Sequence, residues 1–393
     1  MVAIILAATL TSRAGGTHSS LHAGSAVPPP PAPPSPPPFT ATDAENAFVS
    51  FNNAFYVVSH GRGAYKESTN GGVARFWQQA ELIEMVEDAY TRFGRPVYKH
   101  MIDELYKGFV ARYGTNWMSN RFNDDIMWMV LACLRAYRLT GTRLYLDQAK
   151  VHFDRVFARA WSTDLGGGLW WNTAKNEKNA CVNAPAVIAA EELYEALHDT
   201  SYLNKALTLY SWLRTTLFDP ATGAVADRTF LNASTLPPAQ TVDPTTHSYN
   251  QGTFIGAAGA LYEATHDRSY LRDGVKALDF TDKHLTAGGI LQSEGPGDGG
   301  GFNGIFARWA VKFTQDAGIH TYDGWFQRNA AAAWQSRNSD TEMDQDWQAP
   351  TGAGSLEAFG CSSAVVMLQV SPSPTPPEEP VARPFMAAAL SLP

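Results

Sequence analysis

The stretch Asn123-Asp124-Asp125-Ile126-Met127-Trp128-Met129-Val130-Leu131-Ala132-Cys133-Leu134 decides how the rest of the chain is read. Three polar residues give way to an apolar run that continues at helical spacing to about Leu139, where Thr140-Gly141 stops it. A helix that is apolar nearly all round has no face for solvent and must be enclosed by other elements. Asn and Asp at its start are favoured caps, and acids there are stabilised by the helix dipole. A cap needs only one acid. Consecutive acids at a helix mouth hold like charges close together and raise one pKa, which suits proton transfer. Cap and acid/base pair both stay open at this point.

Outward from this helix the chain repeats itself. Tyr137, Tyr194 and Tyr262 are each followed eight residues later by a Tyr-Leu pair, Tyr145-Leu146, Tyr202-Leu203 and Tyr270-Leu271. A small residue stands four positions further on, at Ala149, Ala206 and Gly274. Between the tyrosines lie Thr140-Gly141-Thr142, Leu197-His198-Asp199 and Thr265-His266-Asp267. Each unit reads as a helix end, a short turn and a second helix, with the small residue letting the second helix pack closely on the first. Units are spaced by 57 and 68 residues, so the body holds about six helical hairpins. Such hairpins stack as an open solenoid or close into a ring. Uneven spacing and long Gly-rich loops favour an all-α, closed α/α barrel with a cleft among the loops of one end.

Composition narrows the function. The 393 residues are 45% hydrophobic and 12% aromatic, enough for a large core. The net charge of −8 comes without a dense basic run, so a nucleic-acid partner is not expected. An acidic, Trp-rich chain suits a neutral polyhydroxylated ligand. The three cysteines, Cys133, Cys181 and Cys361, lack CxxC spacing and give little support to zinc. Cys133 reads as a buried free thiol, and a Cys181–Cys361 disulfide stays open. No apolar run is long enough for a membrane span. The apolar run 2–10 has signal-peptide length without a basic flank, and Asn232-Ala233-Ser234 is a glycosylation sequon. Proline-rich segments at 28–38 and 371–380 bracket a globular body of about 42–370. The expectation is a secreted or wall-associated protein, with the apolar piece 385–392 too short for a lipid-anchor signal.

Other motifs offer chemistry singly but not decisively. Gly166-Gly167-Gly168-Leu169-Trp170-Trp171-Asn172 is either a flexible loop with buried tryptophans or a platform for a sugar ring. In Tyr249-Asn250-Gln251-Gly252, the amides cap a helix or meet hydroxyls. Trp77, in Phe76-Trp77-Gln78-Gln79-Ala80-Glu81, is core or ligand contact. The Gly-rich loop 288–304 lacks the GxxxxGK[ST] of a phosphate loop. Neither GxSxG nor HExxH occurs, which leaves carboxylates for acid/base work.

Taken together, Asn123-Asp124-Asp125 with Trp128, Arg135-Ala136-Tyr137 and Thr140-Gly141 resembles the signature of the glycoside hydrolase family 76 α-1,6-mannanases. The motif at 76–81, the triple-glycine stretch, Lys178-Asn179-Ala180, Asn183, Tyr249-Asn250-Gln251-Gly252, and Gly304-Ile305-Phe306 with Arg308 match in the same order. The resemblance covers about 47–368. It implies an (α/α)6 barrel and endo-acting hydrolysis of α-1,6-mannan with retention, using no metal or cofactor. It implies Asp124 as nucleophile and Asp125 as general acid/base. Trp77, Asn123, Trp128, Trp170, Trp171, Asn172, Asn179, Asn183, Tyr249, Asn250 and Gln251 would line the subsites. The expected partner is α-1,6-mannan or a mannan-bearing glycan, met by a monomer. Related fungal wall proteins share the motif and transfer glycans, so a transglycosylase is the first alternative. A non-catalytic mannan-binding protein is the second. The proline-rich ends are not part of the family pattern.

Overall fold

The computed structural model describes residues 38–235 and 237–372. The apolar run 2–10, all but the last residue of the proline run, residues 373–380 of the C-terminal proline-rich segment and the piece 385–392 lie outside the described residues.

The repeat fixes the local structure. The first half of each unit is a helix whose last turn begins at Tyr137, Tyr194 or Tyr262. The carbonyls of these tyrosines accept the backbone N–H of Gly141, His198 and His266. Those three residues are left-handed, with φ of 72°, 54° and 57°, the conformation that terminates a helix. In the second and third units the next residue but one begins a new helix. Asp199 and Asp267 accept from the N–H groups of Ser201 and Ser269 and cap it.

Twelve helices result among the described residues. They are α1 (Ala41–Phe55), α2 (Phe76–Phe93), α3 (Pro96–Tyr113), α4 (Asn123–Thr140), α5 (Arg143–Ala160) and α6 (Ala180–Leu197), followed by α7 (Thr200–Thr216), α8 (Ser248–Thr265), α9 (Arg268–His284), α10 (Phe302–Asp316), α11 (Asp323–Gln335) and α12 (Ala358–Val370). The even-numbered helices pack side by side in chain order, and α12 returns to α2. That last contact closes the ring, so the open solenoid is excluded. Outer helices α3, α5, α7 and α9 pack on the inner helices that precede them, while α1 and α11 both pack on α12. Gln369 Nε2 donates to the Ala44 carbonyl at 2.7 Å, tying the last helix to the first.

The inner helices are buried on every side, as the apolar stretch requires: Ile126 through Leu134 in α4 and Ala358 through Gln369 in α12 are enclosed without a break. Each large apolar side chain so buried contributes about 1.5–3 kcal/mol. Close approach of these helices rests on two glycines. A Cβ on Gly252 of α8 would sit 2.4 Å from Phe306 Cα of α10, and one on Gly304 would sit 2.9 Å from Ser363 Cα of α12.

Connections differ between the two ends of the ring. Inner helices turn into outer ones mostly within two residues, at 94–95, 141–142, 198–199 and 266–267. The returns from outer to inner helices are long and carry all seven strands described. These are β1 (Tyr56–Ser59) and β2 (Arg62–Tyr65), β3 (Glu177–Asn179), β4 (Arg228–Asn232) and β5 (Ala239–Asp243), and β6 (Thr286–Ala287) and β7 (Ile290–Leu291). They form two hairpins and one antiparallel sheet ordered β3-β4-β5. The N-termini of all six inner helices therefore open among the long loops. The three cysteines are free and buried, so the Cys181–Cys361 bridge is not formed.

Candidate active site

The loop-rich end gathers the first turns of the inner helices into an aromatic chain. Phe359 (α12) meets Trp77 (α2) edge-on with centroids 4.7 Å apart, and Trp77 lies 6.2 Å from Trp128 (α4). Trp128 lies 6.5 Å from Tyr249 (α8), which stacks on Phe302 (α10) at 3.9 Å. Phe302 and Phe359 were not singled out by sequence. Their signal was position: each opens an inner helix or sits one residue inside it.

Asp124 and Asp125 occupy the first turn of α4. The capping role does not absorb them, because no side chain caps this helix. Asp124 Oδ1 is shielded from solvent without a hydrogen-bond partner, and Oδ2 accepts from Cys181 Sγ at 3.6 Å. Burial, then the neighbouring Asp125, push Asp124 up to about 7, while hydrogen bonding from Trp171 and Cys181 pulls the other way. Asp125 Oδ2 accepts from Asn120 Nδ2 at 2.8 Å. Burial raises Asp125 to about 6; the Asn120 bond lowers it, Asp298 raises it and Arg75 lowers it. Burial thus holds both neighbouring carboxyls above the ordinary carboxylate range. Such a pair can present one carboxylate and one carboxylic acid to the same bond.

The neighbouring loop is stapled beside this pair. Asn123 N–H donates to the Trp171 carbonyl at 2.8 Å, and Asn123 Nδ2 to the Trp170 carbonyl at 2.7 Å. Arg159 Nε donates to Asn123 Oδ1 at 2.8 Å. Asn183 accepts from the Leu169 N–H at 2.7 Å and donates to the carbonyls of Leu169 and Asn179. Both Asn123 and Asn183 are fully buried with their side chains engaged. These side chains hold the triple-glycine loop. Asn172 closes its own turn, donating to Asn176 Oδ1 and accepting from the Ala174 N–H.

Lys178, fully buried, donates to the carbonyls of Ser162, Asp164 and Gly167. Its ammonium also lies 4.6 Å over the Trp170 ring. Burial lowers its pKa to about 8. The paired tryptophans therefore part company. Trp170 is packed away under Lys178, whereas half-buried Trp171 stands against Phe122 at 4.9 Å, next to Asp124.

Asn179, Asn250 and Gln251 are buried at the starts of α6 and α8. Asn250 Nδ2 donates to Asp227 Oδ1 at 3.0 Å, but Asn250 Oδ1, Asn179 Oδ1 and both polar atoms of Gln251 lack protein partners. Asp227, missed by sequence, faces Cys181 and Tyr249. His247 and Ser248 both bond Glu294 across the Gly-rich loop.

Three residues of the matching motifs lie elsewhere. Arg135 pairs with Glu84 at 2.8 Å and Asp88 at 2.6 Å, and Arg308 with Glu81 at 2.6 Å and Asp88 at 2.8 Å. This buried network ties α2, α4 and α10 together. Its carboxyls outnumber its cations, and burial, followed by the charge of Glu84, pushes Glu81 up to about 8.

Comparison with known proteins gives a consistent picture. Residues 40–374 match the family described as Glycosyl hydrolase family 76. The structure superposes with a TM-score of 0.78 on the GH76A α-1,6-mannanase from Salegentibacter sp. HEL1_6, at 30% identity, covering 84% of this chain and 98% of that one. An inactive variant of that enzyme, with two consecutive aspartates replaced by asparagine, is known in complex with α-1,6-mannotriose and superposes equally well, with the same identity and coverage. Among curated proteins, the mannan endo-1,6-alpha-mannosidase DFG5 of Saccharomyces cerevisiae is 26% identical over 308 residues, 67% of this chain. The match spans 64% of that relative's length.

Proposed function

Since this chain belongs to glycosyl hydrolase family 76, we propose that it is an endo-acting, retaining glycosidase of α-1,6-mannan. The observation that carries this reading is the adjacent Asp124–Asp125 pair, two buried carboxyls in the first turn of an inner helix at the loop-rich end of a closed barrel, beside an aromatic chain. Support comes from the α-1,6-mannanase with which the fold superposes and from its variant binding α-1,6-mannotriose.

In this proposal Asp124 attacks the anomeric carbon while Asp125 protonates the leaving oxygen. Asp125 then removes a proton from water, which releases the sugar from Asp124 with its configuration retained. Burial raises both carboxyls of the unliganded pair, and Asp124 is the more deeply buried member. Positive charge developing on the sugar favours the Asp124 carboxylate, while the raised Asp125 is the member that can carry the proton the leaving oxygen needs. Trp77, Trp171 and Tyr249 stack the sugar faces, and the buried acceptors of Asn179 and Asn250 receive hydroxyl protons. Buried Trp128 packs between Trp77 and Tyr249. A polymer substrate accords with a secreted or wall-associated site of action.

The test is incubation with linear α-1,6-mannan, with products sized and their anomeric configuration followed by NMR. The reading expects a ladder of oligosaccharides released initially as the α-anomer. Absence of new reducing ends overturns it. Elongated products in the presence of mannotriose assign the pair to transfer rather than hydrolysis.

A further inference from the structure

Cys181 is buried in the first turn of α6, and nothing in the acid/base scheme uses it. Its thiol donates to Asp124 Oδ2 at 3.6 Å, alongside hydrogen bonding from the Trp171 side chain and the Asp125 backbone. The other oxygen of Asp124 has no partner. The contrast with Asp125, which receives a side-chain amide proton from Asn120 at 2.8 Å, is chemical: an S–H is a weak donor and an amide N–H a strong one. A carboxylate that must attack carbon needs one oxygen with a free lone pair, which Oδ1 of Asp124 keeps. One that must carry and return a proton gains from being fixed in place.

We propose that Cys181 is a positioning residue that helps orient the Asp124 carboxylate through an S–H···O contact to Oδ2, so that the unpartnered Oδ1 faces the attack. The inference deepens the proposed function and rests on its assignment of Asp124 as the attacking group. Other charged or titratable groups face this contact from each neighbouring element. Asp125 lies beside Asp124 on α4, with Asp298 and Arg75 acting on Asp125 in turn. Tyr249 on α8 and Asp227 ahead of β4 face the thiol. Burial, then the Asp124 charge, raise the thiol's pKa, so Cys181 stays protonated and remains a donor.

Two measurements test this. The first is the pH profile of kcat/KM on α-1,6-mannan for the wild type, Cys181→Ser and Cys181→Ala. Serine is close in volume and a stronger donor, so the acid limb moves down. Alanine removes the donor, so the limb moves up. Each displacement is expected to be about half a pH unit or more. A packing role alone would move both variants the same way or neither, and either result overturns the proposal.

The second measurement needs no turnover. Alkylation of Cys181 by iodoacetamide, quantified by mass spectrometry across alkaline pH, is compared between the wild type and Asp124→Asn. Removing the carboxylate charge lowers the thiol's pKa and shifts the alkylation profile to lower pH. Coincident profiles refute the coupling. Should the wild type leave mannan uncut, the proposed function fails, and the alkylation comparison still decides whether Cys181 and Asp124 are coupled.

Discussion

Asn120 Nδ2 donates to Asp125 Oδ2 at 2.8 Å, and Arg159 Nη1 holds the Asn120 carbonyl at 3.1 Å. The same arginine bonds Asn123, so one guanidinium fixes both the start of α4 and the amide that aims Asp125. Because the Asn120 bond favours the ionised form, its loss lets the Asp125 pKa rise. Asn120→Ala is therefore expected to move the basic limb of the kcat/KM profile upward. It should also lower kcat about tenfold through lost orientation, equivalent to about 1.4 kcal/mol. A basic limb that stays in place would separate Asn120 from the acid/base function.

The two aspartates are distinguishable by chemical rescue. With Asp125→Ala, an aryl α-mannoside bearing a good leaving group needs no protonation, and azide can replace water in the second step. Activity on that substrate should return with azide, giving the α-mannosyl azide. With Asp124→Ala, azide attacks in place of the missing carboxylate and gives the β-product. NMR of the products reads the assignment directly, and interchange of the two anomers would interchange the roles.

Gly252 belongs to a motif that reads as a ligand contact but serves the barrel. An added Cβ would lie 2.4 Å from the Phe306 Cα and 3.1 Å from its backbone nitrogen. Backbone cannot rotate away, so α8 and α10 must separate. Gly252→Ala is expected to cost about 1–3 kcal/mol, despite alanine's better helix propensity. Urea denaturation measures it, and an unchanged or raised midpoint would contradict the close approach.

The fold was legible because its signals are local. Helix-stopping Gly141, the turns at His198 and His266 and the repeated Tyr-Leu pairs mark hairpins without any knowledge of what they pack on. Closure of the ring was favoured by uneven spacing and Gly-rich loops, but the contact that makes it, α12 meeting α2, joins residues far apart in the chain and carries no local signal. In the site, Asp124 and Asp125 stood out by being adjacent. An amide that braces a loop and one that meets a hydroxyl are the same residue type in sequence; the side chains of Asn123 and Asn183 are engaged by protein, whereas Asn250 Oδ1 has no partner. Asp227 and Cys181 carried no motif of their own and became visible only when β4, α6 and α8 were brought together. Arg135 and Arg308 matched motifs for a reason remote from the ligand, namely neutralising buried carboxylates of α2.

Glu191 in α6 gives the barrel a pH dependence separate from catalysis. It is 5% exposed. Burial, then Glu192, Glu195 and Glu263, raise it from 4.5 to about 8, with Lys312 opposing. In the unfolded chain the same carboxyl ionises near its ordinary value. Between the two values the folded state holds a proton that the unfolded state has released, so this group's effect is to lower stability as pH rises from about 4.5 towards 8. Glu191→Gln cannot ionise and escapes that loss. The variant should match the wild type near pH 4.5 and exceed it at pH 8 by on the order of 2–4 kcal/mol. Thermal melts at the two pH values measure the difference. An equal displacement at both would mean that glutamine changes packing alone and that Glu191 is already ionised in the folded protein at neutral pH.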